Sequence, residues 1–502
     1  MTKTPDGVIL DAIQVDRDSK ILLYQQIFNG ICDLILSGSL VSGTRLPSTR
    51  VLMQELKVSR NTVRQAFEQL ISEGYLQGQD GSGTYVAPDI PDASFQLHRL
   101  SERTPVKNHS PVASLSSRGR KIAGDFISQG FSKGRAFAPS LPALDLFPVK
   151  NWTRILSRQW GRRDLLRQGY GELAGYRPLR EAVAFYLQST RGVVCEWEQV
   201  IIVSGAQQAF HLLINILLDP GDSVWVEEPG NLGLRSIILS AGAVPAPVPV
   251  DESGLNVKEG IALHANARVA IIAPSHQYPL GVTMPLSRRL EMLEWAYKTN
   301  GWVIEDDYDS EFRYSGKPVS ALQSLDRHEK VIYVGTFTKV LSPALRIGYL
   351  VVPKGLIKPL TNTIGISTRG LPTHIQAALT DFILEGYLAT HIRRMRKISM
   401  ERQHALLDAV SQQCDGLLDV APTNSGLHLV GWLPEGIDDV AAYRLAKSRG
   451  VETYPLSRYY ENPLAQKKGL MMGFACAPPE EITRATGILA SALREVSNIK
   501  IG

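Results

Sequence analysis

Cysteine is scarce in this chain of 502 residues, and the four present, Cys32, Cys195, Cys414 and Cys476, lie far apart. With no C-x-x-C pair and no histidine at metal-ligand spacing, neither a disulfide framework nor a metal site is supported, and all four are expected to be buried and structural. Long apolar runs are missing as well. No stretch is long enough to cross a bilayer, and the start, MTKTPDGVILDAIQVD, has neither a basic n-region nor an unbroken apolar h-region, so a cytoplasmic protein without a membrane partner is expected. An excess of one charge is also lacking: 54 Lys and Arg stand against 49 Asp and Glu. That balance tolerates a nucleic-acid partner without identifying one, because residues 1–88 hold 8 basic against 9 acidic residues. No internal repeat is found.

What is present is ordinary for globular proteins, with 44% apolar and 21% charged residues, and the length predicts two or three domains. Basic residues concentrate locally. Arg45, Arg50, Lys57, Arg60 and Arg64 face a single acid, Glu55, within residues 45–64, and residues 98–121 hold six basic residues against Glu102. Over residues 20–88 the pattern reads helix, helix, helix, then a glycine-rich hairpin. Ile27, Ile31, Leu34 and Ile35 mark the first helix; a second is expected over 48–56 and a third after Val58-Ser59. In the third, Val63, Ala66, Phe67, Leu70 and Ile71 form the expected buried stripe, which leaves Arg60, Asn61, Arg64, Gln65 and Gln69 on the open face, with side chains suited to phosphates and base edges. LQGQDGSGTYVA follows as two short strands around Gly78, Gly81 and Gly83, the wing of a winged helix-turn-helix. The expected DNA-facing set is Arg45, Ser48, Arg50, Ser59, Arg60, Asn61, Thr62, Arg64 and Gly83, against a double-stranded operator.

Residues 89–135 lose apolar periodicity and collect Pro, Ser and basic residues, as a linker does. From 136 onward short apolar runs (VIIVS, SVWVE, VAIIA, WVIED, VIYVG) alternate with helical patterns such as AQQAFHLLINILL. This predicts an α/β domain on a largely parallel, covered sheet, with ligands beyond the carboxyl ends of its strands. From about 385 longer helices and the strand candidates GLHLVGWL and GLMMGFA suggest a smaller C-terminal lobe.

The chemistry gathers at strand ends. VIYVGTFTKVLSPALRIGYL delivers the hydroxyls of Thr336 and Thr338, then Lys339, then Arg346. An aldehyde cofactor bearing a phosphate needs an amine, hydroxyl and backbone donors, and a guanidinium, and all three fall within eleven residues. WVIED ends at Asp306 and Asp307 beside Tyr308; either carboxylate suits a pyridine nitrogen, while the run EDDYDSE also reads as a metal loop or a solvated one. Gly205, Ala206 and Gln207 sit between a strand and a helix, where free N–H groups hold phosphate.

These motifs, in this order, resemble the MocR/GabR subfamily of GntR-type regulators, in which a winged helix is fused to a fold-type-I aminotransferase-like domain that binds pyridoxal 5′-phosphate (PLP). The likeness spans nearly the whole chain: LPSTRVLMQELKVSRNTVRQAFEQLISEGYLQGQDGSGTYV at the head, then YGELAGYRPLREAV, SGAQQAF, PSHQYPLG, EDDYDSEFRY and TFTKVLSPALRIGY. By resemblance Lys339 carries the Schiff base, Asp306 partners the ring nitrogen, Tyr308 lies near the ring oxygen, and Thr336, Thr338 and Arg346 hold the phosphate. Tyr170 resembles the tyrosine that reaches the neighbouring subunit's cofactor, which implies a domain-swapped homodimer. Arg458 is similar in context to an arginine that grips an effector carboxylate. Two departures stand out. Tyr278 occupies the place where aminotransferases carry the asparagine of Asn-Pro-x-Gly, and Asn231, in Pro229-Gly230-Asn231-Leu232-Gly233, replaces the aromatic of members that sense γ-aminobutyrate. The expected function is a PLP-dependent regulator sensing an amine, an amino acid or PLP itself. The alternative is a working aminotransferase with a DNA-binding head, or a regulator that has lost PLP.

Overall fold

The computed structural model describes residues 13–79, 83–88, 136–161, 169–316 and 319–498, together with residues 115, 116, 119, 120 and 123. The chain divides into two compact units, residues 1–114 and 115–502. The linker expected over 89–135 lies almost wholly outside the described residues, as does Gly81.

In the first unit α1 (Leu23–Leu36), α2 (Thr49–Glu55) and α3 (Arg60–Ser72) precede a hairpin of β1 (Leu76–Gln79) and β2 (Gly83–Val86). Ile27, Ile31 and Ile35 recur at helical spacing on α1 and pack with Leu52, Val63, Phe67 and Leu70 into one core. Ser48 and Ser59 start α2 and α3 as N-caps, accepting from the Val51 and Thr62 amides at 3.4 and 3.1 Å. The strands pair antiparallel from Leu76↔Val86 to Gln79↔Gly83. Ile71, expected in the buried stripe, is 43% exposed. Val63, Ala66, Phe67 and Leu70 complete an i, i+3, i+4, i+7 face, and the next residue is turned a further ~100° away from it.

The second unit opens with α4 (Val149–Trp160) and α5 (Arg177–Arg191), then β3 (Val200–Val203), α6 (Ala206–Leu217), β4 (Ser223–Glu228), α7 (Leu232–Ala241), β5 (Val244–Asp251), β6 (Gly254–Leu255), α8 (Val257–Leu263), β7 (Val269–Ile272), α9 (Leu286–Thr299), β8 (Trp302–Asp307), β9 (Val331–Thr336) and β10 (Gly348–Val351). These strands form one sheet in the order β3-β10-β9-β8-β7-β4-β5-β6. From β9 to β5 neighbours run parallel, as the alternating pattern predicts. Strand β10 departs from it: it runs antiparallel to both β9 and β3. Only eleven residues separate β9 from β10, too few for a helical crossover, so the chain turns back on itself.

Helices α10 (Lys354–Ser367), α11 (Thr373–Leu384) and α12 (Tyr387–Gln413) lead into the smaller lobe, where β11 (Asp419–Val420), β12 (His428–Trp432), α13 (Asp439–Ser448), β13 (Tyr454–Pro455), β14 (Gly469–Gly473) and α14 (Pro479–Asn498) follow. Its sheet, β11-β12-β14-β13, is antiparallel. The two strand candidates named from the sequence are β12 and β14. Val200, Ile202, Tyr333, Tyr349 and Val351 on one sheet face pack toward α5 and the C-terminal lobe, and Ile201, Val203, Ile304, Ile332, Val334 and Leu350 on the other pack against α6 and α10. Both faces are covered, which is why these strands read as continuous apolar runs.

Candidate functional site

Strands β8 and β9 lie side by side with Asp306 opposite Val334 and Asp307 opposite Gly335, so their carboxyl ends deliver an acidic pair and Thr336 to one edge. Side chains alternate across a strand, and the two aspartates therefore face opposite ways. Asp307 turns inward. It is 4% exposed, pairs with the Arg191 guanidinium at 2.8 Å and accepts from the Tyr333 hydroxyl. Asp306 turns to the cavity side, and its Oδ1 is sealed from solvent without a hydrogen-bond partner among the described residues. Burial, then the charges of Asp307 and Asp309, pushes its carboxyl up to about 7, against the pull of Lys339.

Lys339 lies three residues beyond β9, and its Nζ donates to the Ser140 carbonyl at 2.9 Å. Burial draws the Lys339 pKa down, opposed by Asp309 and Asp306, which favours the uncharged nucleophilic amine. Thr336 donates to the Thr338 hydroxyl at 2.9 Å and accepts from the Thr338 amide at 3.2 Å, so the two hydroxyls are held together. Arg346 follows in the left-handed region, φ 50°, exposed and with no ion pair among the described residues. Gly205 caps α6 at φ 96°, leaving the Ala206 and Gln207 amides at the helix N-terminus. A Cβ on Gly348 would lie 2.8 Å from Gly205 Cα, so Gly348 is what lets β10 approach this turn.

The cavity beside Asp306 is lined by Glu227, Asn231, Tyr278, Arg458 and Tyr459. Tyr278 shares a 3.2 Å hydroxyl contact with Tyr459. Arg458 is exposed, with its guanidinium 5.3 Å from the Tyr443 ring centre and no carboxylate partner among the described residues. Asn231 caps α7, its Oδ1 accepting from the Gly233 amide at 2.9 Å. Tyr170 is 83% exposed, under the Arg369 guanidinium at 5.5 Å. It does not share this cavity.

Several residues at the site escaped the sequence reading. Ser140 takes φ 60°, unusual for a residue with a side chain, and its Oγ is buried and without a partner among the described residues. It lies 199 positions from Lys339, and no local pattern marks it. His276 stands in the PSHQYPLG motif and Asp309 in the acidic run, yet neither position alone indicates that both touch around Tyr308.

In the head, α3 presents Arg60, Asn61 and Arg64, the last paired with Glu68 at 3.3 Å and open to solvent. Ser59 and Thr62 hydroxyls contact each other at 2.8 Å. Arg45 bridges to Tyr85 in the wing and lies over Gly83, φ 121°, where a Cβ would come within 3.0 Å of Arg45 Nε. Arg50 is carried by α2 beside the Ser48 cap.

Comparison with known proteins agrees with this division. Residues 23–86 match the family of bacterial regulatory proteins, gntR family, and residues 154–483 match aminotransferase class I and II. The chain is 38% identical over 95% of both chains to the "Probable rhizopine catabolism regulatory protein MocR" of Rhizobium meliloti. It is 32% identical to the pyridoxine biosynthesis transcriptional regulator PdxR of Corynebacterium glutamicum, over 89% of this chain and 91% of that one. Among solved structures it is similar to LysN, the α-aminoadipate aminotransferase of Thermus thermophilus complexed with a phosphopyridoxyl-leucine, at 25% identity and TM-score 0.67 over 76% of this chain and 96% of that one. No helix among the described residues is long and apolar enough to cross a membrane. The chain belongs to the MocR-type transcription regulators, a GntR-family DNA-binding head followed by an aminotransferase class I and II domain.

Proposed function

We propose that the large domain binds PLP at Lys339 and uses it to sense an amine, an amino acid or PLP itself, and that occupancy sets the affinity of the head for its operator in the cytoplasm. The observation that carries this reading is the orphaned, buried Oδ1 of Asp306 beside the Lys339 amine. Leaving such an acceptor unpaired costs about 1–3 kcal/mol, and a protonated pyridine nitrogen is the donor it fits. Asp307 also has an unpaired Oδ1 among the described residues, but its Oδ2 is tied to Arg191 and Tyr333 and it does not line the cavity that Asp306 lines, which favours Asp306 as that partner.

The rest of the site fits the same group. The Gly205, Ala206 and Gln207 turn, the Thr336 and Thr338 hydroxyls and the Arg346 guanidinium offer a phosphate its donors and its countercharge. When bound, PLP supplies an aldehyde able to exchange imine partners between a lysine and an incoming amine. Lys339 Nζ, when free, is held by the Ser140 carbonyl. Arg458, which lines the cavity and has no carboxylate partner among the described residues, is placed to take an effector carboxylate, with Asn231 in the same lining. Tyr278 at the place of the aminotransferase asparagine favours sensing over turnover. The exposure of Tyr170 supports a domain-swapped homodimer in which it serves the neighbouring site.

Absorbance on adding PLP tests the reading. Wild type gains a visible cofactor band and Lys339→Ala does not; equal spectra refute Lys339 as the anchor. Steady-state transamination at an ordinary enzyme rate, about 1–1000 per second, would establish the aminotransferase instead.

A further inference from the structure

Tyr308 is held from behind by His276, which Asp309 contacts in turn. Its hydroxyl oxygen lies 2.9 Å from His276 Nδ1, which is also 3.0 Å from Asp309 Oδ2. All three residues are buried, at 8%, 3% and 1% exposure. An ionised carboxylate only accepts, so the imidazole proton belongs on Nδ1, and the Tyr308 oxygen shares that same N–H. The Tyr308 proton is then free to point elsewhere. The ring of His276 has little room to swing, because a Cβ on Gly426 would lie 2.1 Å from its Cε1 and one on Gly281 3.1 Å from its Nε2.

The titratable groups around this chain of contacts are few. Tyr308 feels Asp309, Tyr278, Asp306 and Glu227, and burial first, then Asp309, keeps its phenol well above the usual range and therefore protonated. His428 stacks at an angle 5.4 Å from His276, donates its Nε2 proton to the Pro279 carbonyl at 3.1 Å, and is pushed down to about 3 by burial and by His276, so it stays neutral. Lys339 feels Asp309 and Asp306.

We infer that His276 and Asp309 are positioning residues that fix Tyr308 as a hydrogen-bond donor to the phenolic oxygen of PLP, and thereby set the pH at which the bound cofactor loses its proton. This rests on the reading that PLP is held at Lys339. A donor to the phenolic oxygen stabilises negative charge there and weakens its hold on the nearby cofactor proton. Loss of the donor tightens that hold, so the midpoint rises. Asp309 acts by tautomer choice: without its carboxylate, Nδ1 can become an acceptor and take the Tyr308 proton for itself.

The experiment is a pH titration of cofactor absorbance in full-length, PLP-loaded protein. Tyr308→Phe and His276→Ala each raise the midpoint by about one pH unit, and the double variant goes no further. His276→Asn, whose side-chain N–H can stand near the position of Nδ1–H, titrates close to wild type. Asp309→Ala removes the acceptor that holds the proton on Nδ1 and also a charge that Lys339 feels, which by itself lowers the midpoint, so it is scored against the same change in Tyr308→Phe. Its shift lies about one pH unit higher when Tyr308 is present, and this decides the matter if His276→Ala fails to fold. A midpoint unchanged in His276→Ala, or an Asp309→Ala shift that is the same with and without Tyr308, while Tyr308→Phe shifts it, overturns the inference. A wild type with no cofactor band at all overturns the PLP reading, and the inference falls with it.

Discussion

Two neighbouring aspartates with the same side chain do different work because strand parity sends them to opposite faces. Asp307→Asn leaves Arg191 buried without its carboxylate, and such a loss costs about 3–5 kcal/mol, read as a lower urea midpoint. Asp306→Asn breaks no contact among the described residues, so it should keep the fold while weakening PLP binding about 10- to 100-fold, measured by fluorescence titration. Equal effects of the two on stability would contradict the division. The pair was legible as a pair, since a strand ending in acids precedes a strand ending in Thr-x-Thr-Lys. Which of the two faces the cavity was not, because that depends on Arg191, 116 positions away in sequence. Ser140 was hidden for the same reason.

Among the elements, α3 was the most legible, because local spacing alone defines its buried face and its cap. Ser59→Ala removes the acceptor for the Thr62 amide and costs the head about 1 kcal/mol by thermal melting. Arg60→Ala and Arg64→Ala leave the packed face untouched and weaken operator binding, and Arg64→Ala lowers the salt dependence by about one counterion, measured by anisotropy at several ionic strengths. Unchanged binding by both variants would remove α3 from the DNA interface. Ile71 shows where periodicity misleads: an apolar residue beside the stripe counts as part of it until neighbours are known. Strand β10 shows another limit. Its apolar run reveals burial on both faces but carries no mark of direction, and only the short connection from β9 excludes a parallel crossover.

At the scale of the whole molecule the order head, α/β domain and smaller lobe was readable from pattern switches along the chain. The buried acids of the large domain were not. Burial pushes Glu305, Asp306 and Glu311 up to about 7 and Glu227 to about 8. A carboxyl with a raised folded pKa binds its proton more tightly when folded, so its contribution is complete below the unfolded pKa and is lost as pH rises through the folded one. The PLP-free protein should therefore lose stability from about pH 4 to about pH 8, and Asp306→Asn should flatten part of that slope in urea titrations. A slope of opposite sign would mean that these carboxyls are not proton-binding sites of the folded state. The central claim joins the two halves: chemistry at Lys339 is felt at the operator. It is tested most directly by operator affinity, measured by anisotropy with and without PLP, in wild type and in Lys339→Ala. PLP should change the affinity of wild type and leave that of Lys339→Ala unaltered; an identical response in both proteins, or none in wild type, would contradict the account.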